Sequence, residues 1–311
     1  MKLQALVRDH VGGDPALEPG ELSPGAALLH DRDAWVLVAD RPERGLGGAI
    51  AWAVRHDAQR LHVVADAGTG TLARRALGFS FPIDVWHVDG RTLLPAVAEP
   101  LPVATAVPAP HREFEPMIVV AGAVPHEEFG VLSGEVWGLE VCRVVDDEFT
   151  GAVRLEVGVG EHDREAFQLL HGDRPTAEAL ADVVEAVATH RRPGAAGHPL
   201  NRLAAERALR ARLVAEPSLI GAAAVRPVPP PVPRPNLKDP VPCVAIATVD
   251  GEQVTVVCSS GVDLDVMPYA VDARTSTGVE RCVVAMPARD AVDIQRRLAA
   301  LTAPAVSIVS L

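Results

Sequence analysis

Lysine is almost missing from this chain of 311 residues: Lys2 and Lys238 are the only two. Nearly every cation is therefore an arginine, as a coding bias that also favours Ala, Val and Gly would produce. Aromatic residues make up 4%, so Trp137 and Phe149 read as core or rim residues rather than as platforms on which bases stack. The four cysteines, Cys142, Cys243, Cys258 and Cys282, form no C-x-x-C and lie in or beside apolar runs. That spacing argues against a zinc site or a disulfide framework and for buried free thiols. The longest apolar runs, such as Met117–Val124 and Gly221–Val225, fall far short of the roughly 18 residues of a membrane span. The N-terminus has no apolar secretory segment. A soluble, cytoplasmic protein without a membrane partner is expected.

Familiar catalytic signatures are missing as well. There is no Walker phosphate loop, no H-E-x-x-H and no G-x-S-x-G. His126, His162, His171, His190 and His198 gather in the middle of the chain at spacings that match no metal motif. Gly68, Gly70 and Ala73 in AGTGTLARR fit only the looser form of the dinucleotide fingerprint, and a plain helix start is the better reading. A net charge of −12 and a pI near 5.4 argue against broad binding to a phosphate backbone.

What is present is organisation. AALLH and WVLVAD flank a polar turn at Asp31–Asp33, and a helix, the strand RLHVVAD, a second helix and the strand IDVWHV follow. That order is β-β-α-β-α-β. It returns near the C-terminus, where VAIAT and VTVVC flank a turn centred on Asp250–Gly251. The helix VMPYAVDAR, the strand RCVVAM, the helix ARDAVDIQRRLAAL and the strand AVSIVSL complete it. Trp52 answers Tyr269, Arg60 answers Arg281, Arg74–Arg75 answer Arg296–Arg297, and Pro82 answers Pro304. Such self-similarity is the mark of a duplicated unit.

The expected fold is α/β in three modules, with two similar β-β-α-β-α-β units flanking a central mixed α/β domain. Residues 1–24 are expected to be irregular apart from a short helical turn. The first unit covers 25–97, a Pro-rich linker 98–110, the central domain 111–220, a second Pro-rich linker 221–240 and the second unit 241–311. The run RPVPPPVPRP at 226–235 is expected to be an extended, polyproline-like spacer. The central domain is expected to open with the strand PMIVVAGAV and to end in helices. The last of these carries Arg202, Arg207, Arg210 and Arg212, a basic face that is a nucleic-acid site or a solvated surface. The loops 41–47 and 259–263 each join a strand to a helix, where α/β sheets often bind ligands.

Between the linkers, residues 134–170 hold the densest group of carboxylates: Glu135, Glu140, Glu156, Asp163 and Glu165. GLEVCRVV and AVRLEVGVG read as an antiparallel pair around DDEFTGA, and a helix carrying Gln168 follows. Alternation puts Arg154, Glu156 and Gly158 on one strand face, with Glu140 on the partner strand. Two carboxylates on neighbouring strands can share a divalent ion that activates water. Equally, glutamates alternating with Val and Leu describe a half-solvated strand, and HDREA a helix start whose acids meet the helix dipole.

These forty or so residues resemble the PD-(D/E)xK restriction-endonuclease-like superfamily. The resemblance implies Glu140 and Glu156 as catalytic ligands of Mg²⁺ or Mn²⁺, with Glu127 or Glu128 as the upstream helical acid. It also implies a lysine where Gly158 stands, and arginine is a poor substitute for that group. A nucleic-acid-associated protein with a degenerate, inactive nuclease-like centre is expected on this basis. The alternative is a non-catalytic scaffold built from the duplicated unit, and a homo-oligomer fits either.

Overall fold

The computed structural model describes residues 1–39, 41–147, 150–171, 174–195, 197–233 and 241–311, with the side chains of 167–171 excepted. Phe149, Lys238, the linker residues 234–240 and the side chains of Gln168 and His171 lie outside the described residues. The chain is mixed α/β. In order it forms α1 (Lys2–Val11), β1 (Glu18–Gly20), β2 (Ala26–His30), β3 (Asp33–Leu37), α2 (Leu46–Arg55), β4 (Arg60–Ala65), α3 (Thr69–Ala76), β5 (Ile83–Asp89) and β6 (Thr92–Pro95). Then come α4 (Ala109–Arg112), α5 (Glu115–Val120), β7 (Val124–Glu128), β8 (Val131–Val136), β9 (Leu139–Asp146), β10 (Val153–Val157), α6 (Glu161–His171), α7 (Thr176–Arg191) and α8 (Ala205–Ala215). Last are β11 (Ala224–Val228), β12 (Cys243–Val249), β13 (Glu252–Cys258), α9 (Val266–Thr277), β14 (Cys282–Met286), α10 (Asp293–Ala300) and β15 (Ser307–Ser310). The order β-β-α-β-α-β thus occurs over β2–β5 and again over β12–β15. Among the described residues no helix is long and apolar enough to cross a membrane.

Two compact units contain these elements: residues 1–101 with 261–311, and residues 102–260. In the first, six strands run in the order β1-β2-β3-β4-β5-β6. Strands β3, β4 and β5 are parallel, and the outer pairings are antiparallel. Leu61, Val63, Val64 and Ala65 of β4 are all buried, as expected of a parallel strand covered on both faces. Residues 1–24 are more ordered than their Gly and Pro content suggested. In α1, Leu3, Leu6 and Val7 are buried at the i, i+3, i+4 spacing of a helix stripe, and they share a core with Trp35, Val64 and Leu93. Gly12 and Gly13 end that helix rather than prevent it.

Helix α9 packs on α2, α3 and β14. Where α2 begins, a Cβ on Gly47 would lie 2.0 Å from the Leu264 carbonyl oxygen, so the backbones approach as only glycine permits. Beyond α3, Phe79 and Thr302 form an antiparallel bridge, in which Ser80 N–H donates to Leu301 O and Ala303 N–H to Gly78 O, each at 2.8 Å.

The second unit holds an antiparallel sheet in the order β10-β9-β8-β7, with α7 packed across β8, β9 and β10. A two-residue turn joins β8 to β9, with Trp137 at φ 47 and Gly138 at φ 75; paired positive φ values match the twist of a hairpin. Helix α8 presses on this turn so closely that a Cβ on Gly138 would lie 2.3 Å from the Arg207 backbone. Arg191 clamps the same turn, donating from Nε and Nη2 to Trp137 O at 3.2 and 3.0 Å and from Nη1 to Leu203 O at 2.8 Å. Burial pushes the Arg191 pKa down to about 10.

Two local expectations are corrected here. PMIVV is helical in α5, with Pro116 in the first turn where its missing N–H costs nothing, and the strand begins only at Val124. Part of the expected spacer is a strand, since β11 pairs with β12 and sets Pro227 opposite Ala245. A proline is tolerated there because β11 has a partner on one side only among the described residues. Strands β12 and β13 form the next antiparallel pair, and α8 packs on all three. All four cysteines are free and buried.

Candidate functional site

Strands β9 and β10 pair as read from the sequence, with Glu156 opposite Arg143. Their carboxylates do meet, but through arginines. Glu140, 2% exposed, accepts from Arg143 Nε at 2.9 Å and Nη2 at 3.0 Å. Arg164 of α6 reaches back to donate from Nη1 to Glu140 Oε1 at 3.1 Å and from Nε to Glu156 Oε2 at 3.3 Å. Arg154 donates to Glu156 Oε1 at 2.8 Å and to Asp147 Oδ2 at 2.7 Å. Three guanidinium groups and three carboxylates thus alternate in one chain: Arg143, Glu140, Arg164, Glu156, Arg154, Asp147. Burial works against the Arg143 charge, but the hydrogen bond to Glu140 and the surrounding carboxylates outweigh it and hold its pKa above the ordinary value.

The Glu140 and Glu156 carboxylates both turn to Arg164, which lies between them in this arrangement. Among the described residues no group of three or more His, Cys, Asp or Glu is placed to hold a metal. Gly158 has φ +139, and a Cβ there would lie 3.0 Å from Asp163 and from the Arg164 amide. The position that the nuclease resemblance gives to lysine is one that glycine alone occupies without strain. Glu127 and Glu128 lie in strand β7, not on a helix; Glu127 pairs with Arg112 at 2.6 Å and Glu128 with Arg207. Asp163 accepts from Val159 N–H at 2.6 Å, and Glu165 is exposed.

The four arginines around α8 do not share a face. Arg202 and Arg212 are exposed, whereas Arg207 and Arg210 are 4% and 2% exposed. Three residues apart, these two project from one side of the helix. Arg207 pairs with both Glu128 and Glu135. Arg210 Nη2 donates to Glu135 Oε2 at 3.2 Å, and His126 Nε2 lies 3.1 Å from the same oxygen. This second cluster borders a cavity of about 310 Å³. Val124, Val136, Trp137, Val214 and Pro227 supply apolar wall, and His126, Glu135 and Arg210 stand in its lining. Nothing local in the sequence pointed to it, because its walls come from β7, β8, α8 and β11.

In the first unit, the stretch with the loose dinucleotide fingerprint is filled by the chain itself. Thr71 hydrogen-bonds the Glu99 carboxylate, and a Cβ on Gly70 would lie 2.8 Å from it. The loop Arg41–Gly47 is tied to the residues before α9, Arg44 to Asp263 at 2.7 Å and Gly47 N–H to Asp265 Oδ1 at 2.9 Å. Burial pushes the Asp265 pKa up to about 6. Because this folded value exceeds the unfolded one of about 3.9, the protonated carboxyl favours folding below pH 4, and that contribution is lost as pH rises through 6. Asp265→Asn keeps an acceptor for Gly47 and is expected to stabilise the protein at pH 8 by about 2–3 kcal/mol. Urea melts of both forms should converge at pH 4; equal stabilities at pH 8 would contradict the assignment.

Comparison of the chain with protein-family models, with curated proteins and with solved structures returns no match.

Proposed function

We propose that this chain is a non-catalytic scaffold or binding protein whose central acids serve its structure. One observation carries the reading: Arg164 sits between Glu140 and Glu156, joined to both, so that the residues best placed for metal chemistry neutralise a guanidinium instead. The strain that a lysine would meet at Gly158 supports it. The scaffold itself is read as a duplication. If Arg74–Arg75 answer Arg296–Arg297, then Phe79 answers Leu301 and Ser80 answers Thr302. The antiparallel bridge of Phe79 with Thr302 brings these counterpart segments side by side, one residue out of register with that correspondence, and Ser80 N–H donates to Leu301 O. In the same way, if Trp52 answers Tyr269, then Gly47 answers Leu264, and these two touch.

Titrating Mg²⁺ or Mn²⁺ into the protein with a labelled oligonucleotide is expected to yield no cleavage and no salt-sensitive binding. Metal-dependent cleavage abolished by Glu140→Gln would overturn the proposal in favour of a working nuclease. Salt-sensitive binding lost on replacing Arg202 and Arg212 would overturn it in favour of a nucleic-acid-binding protein.

A further inference from the structure

The cavity beside α8 combines a size, a wall and an unused polar group. At about 310 Å³ it falls at the lower end of the range for small-ligand sites, about 300–1,000 Å³. Two of its wall residues, Val124 at 56% and Val214 at 38% exposure, present apolar surface to solvent that a bound apolar body would cover. Hydrogen-bond capacity at the polar end is lopsided. Glu135 Oε1 is ion-paired with Arg207, and Oε2 takes the hydrogen bond of Arg210 and adjoins His126, so two arginines already balance that carboxylate's charge. Arg210 carries five N–H donors and is 2% exposed, yet among the described residues it gives one hydrogen bond, from Nη2. Arg210 itself stands in the lining of the cavity.

We infer that this cavity binds a small organic acid, an apolar body bearing one carboxylate, with Arg210 receiving the carboxylate and the Val–Trp–Pro wall receiving the body. A guanidinium offers a carboxylate two parallel donors, the stronger kind of hydrogen bond in a partly buried setting. A cationic ligand meets a carboxylate, Glu135, that is already ion-paired with Arg207 and Arg210. An alcohol of the same shape gains the wall but only a neutral hydrogen bond. The inference goes beyond the scaffold reading and stands apart from it: cleavage of an oligonucleotide would sink that reading and leave this one untouched.

Calorimetric and ligand-observed NMR titrations of the full chain with octanoate and 3-phenylpropanoate, beside octanol and octylamine, test it. At least one acid is expected to bind at a single site, at least tenfold more tightly than octanol, with octylamine not binding. Ala211→Trp, which fills the cavity from α8, is expected to weaken the acid at least tenfold while the circular dichroism spectrum and melting point are kept. Arg210→Gln should bring acid and alcohol to equal affinity. Should that variant fail to fold, Ala211→Trp and the ligand series decide alone. Binding of octylamine as tight as that of the acids, binding of none of the four, or acid binding unchanged by Ala211→Trp would overturn the inference.

Discussion

Asp272→Ala is expected to cost about 3–5 kcal/mol of stability, the range for breaking a buried ion pair from one side. Asp272 is 0% exposed and is the carboxylate partner of two buried arginines. Arg74 donates to it from Nε at 2.9 Å and from Nη2 at 3.3 Å, and Arg75 from Nε at 2.7 Å. The other ends of these arginines hold backbone carbonyls: Glu99 O and Pro100 O for Arg74, and Glu43 O for Arg75. Asp272 therefore tethers α9 to α3 and, through Arg75, to the loop before α2. Without it, Arg75 stays buried with a backbone carbonyl and Arg74 keeps only the half-exposed Glu99 carboxylate at 3.6 Å beside its carbonyls, so desolvation of their charge is largely no longer offset. Chemical denaturation measures the loss as a lower midpoint at unchanged slope. Asp272→Leu combined with Arg74→Met and Arg75→Met should recover most of it, since buried ion groups exchange for apolar ones at small net cost. A loss under 1 kcal/mol for Asp272→Ala would mean that the carbonyls alone suffice.

Neither the Asp272 tether nor the cavity could be read from the sequence, and the reason is common to both. Asp272 and the Arg74–Arg75 pair lie nearly 200 positions apart, and no periodicity links residues that meet only after the chain has folded. What was legible was local. The Asp250–Gly251 turn, with φ 52 and 82, is the pair of residues that a two-residue hairpin asks for. Strands β9 and β10 followed from alternation. Where local signals conflict, the expectation differs from the structure: the four apolar residues of MIVV fit a strand or a buried helix equally, and the proline before them sits in the first turn of the helix that forms. Four arginines around α8 suggested a basic face because the partners of two of them, Glu128 and Glu135, sit on other elements. Within HDREA the acids drew attention, while the decisive residue was Arg164, the one cation among them, which turns back onto both strands.

That arginine gives the second large effect. Arg164→Met removes the charge between Glu140, 2% exposed, and Glu156. Arg143 and Arg154 remain at the flanks with their own hydrogen bonds, so each carboxylate keeps one partner, but the two acids now face each other across a low-dielectric gap. A loss of about 3–4 kcal/mol is expected at pH 7. Adding Glu156→Gln should restore part of it by removing one of the like charges, a coupling that a double-mutant cycle reads directly. The same vacancy tests whether the guanidinium stands where an ion could. In the parent protein, millimolar Mn²⁺ is expected to leave the melting point unchanged, because Arg164 already supplies the positive charge. In Arg164→Met, a cation bound at a hundred times its dissociation constant would return about 2.7 kcal/mol. A rise in melting point confined to the variant would identify Arg164 as the resident substitute for a metal. An equal rise in the parent would show that Mn²⁺ binds elsewhere or displaces the arginine. No rise in either would mean that the strand pair holds its acids too far apart for one ion.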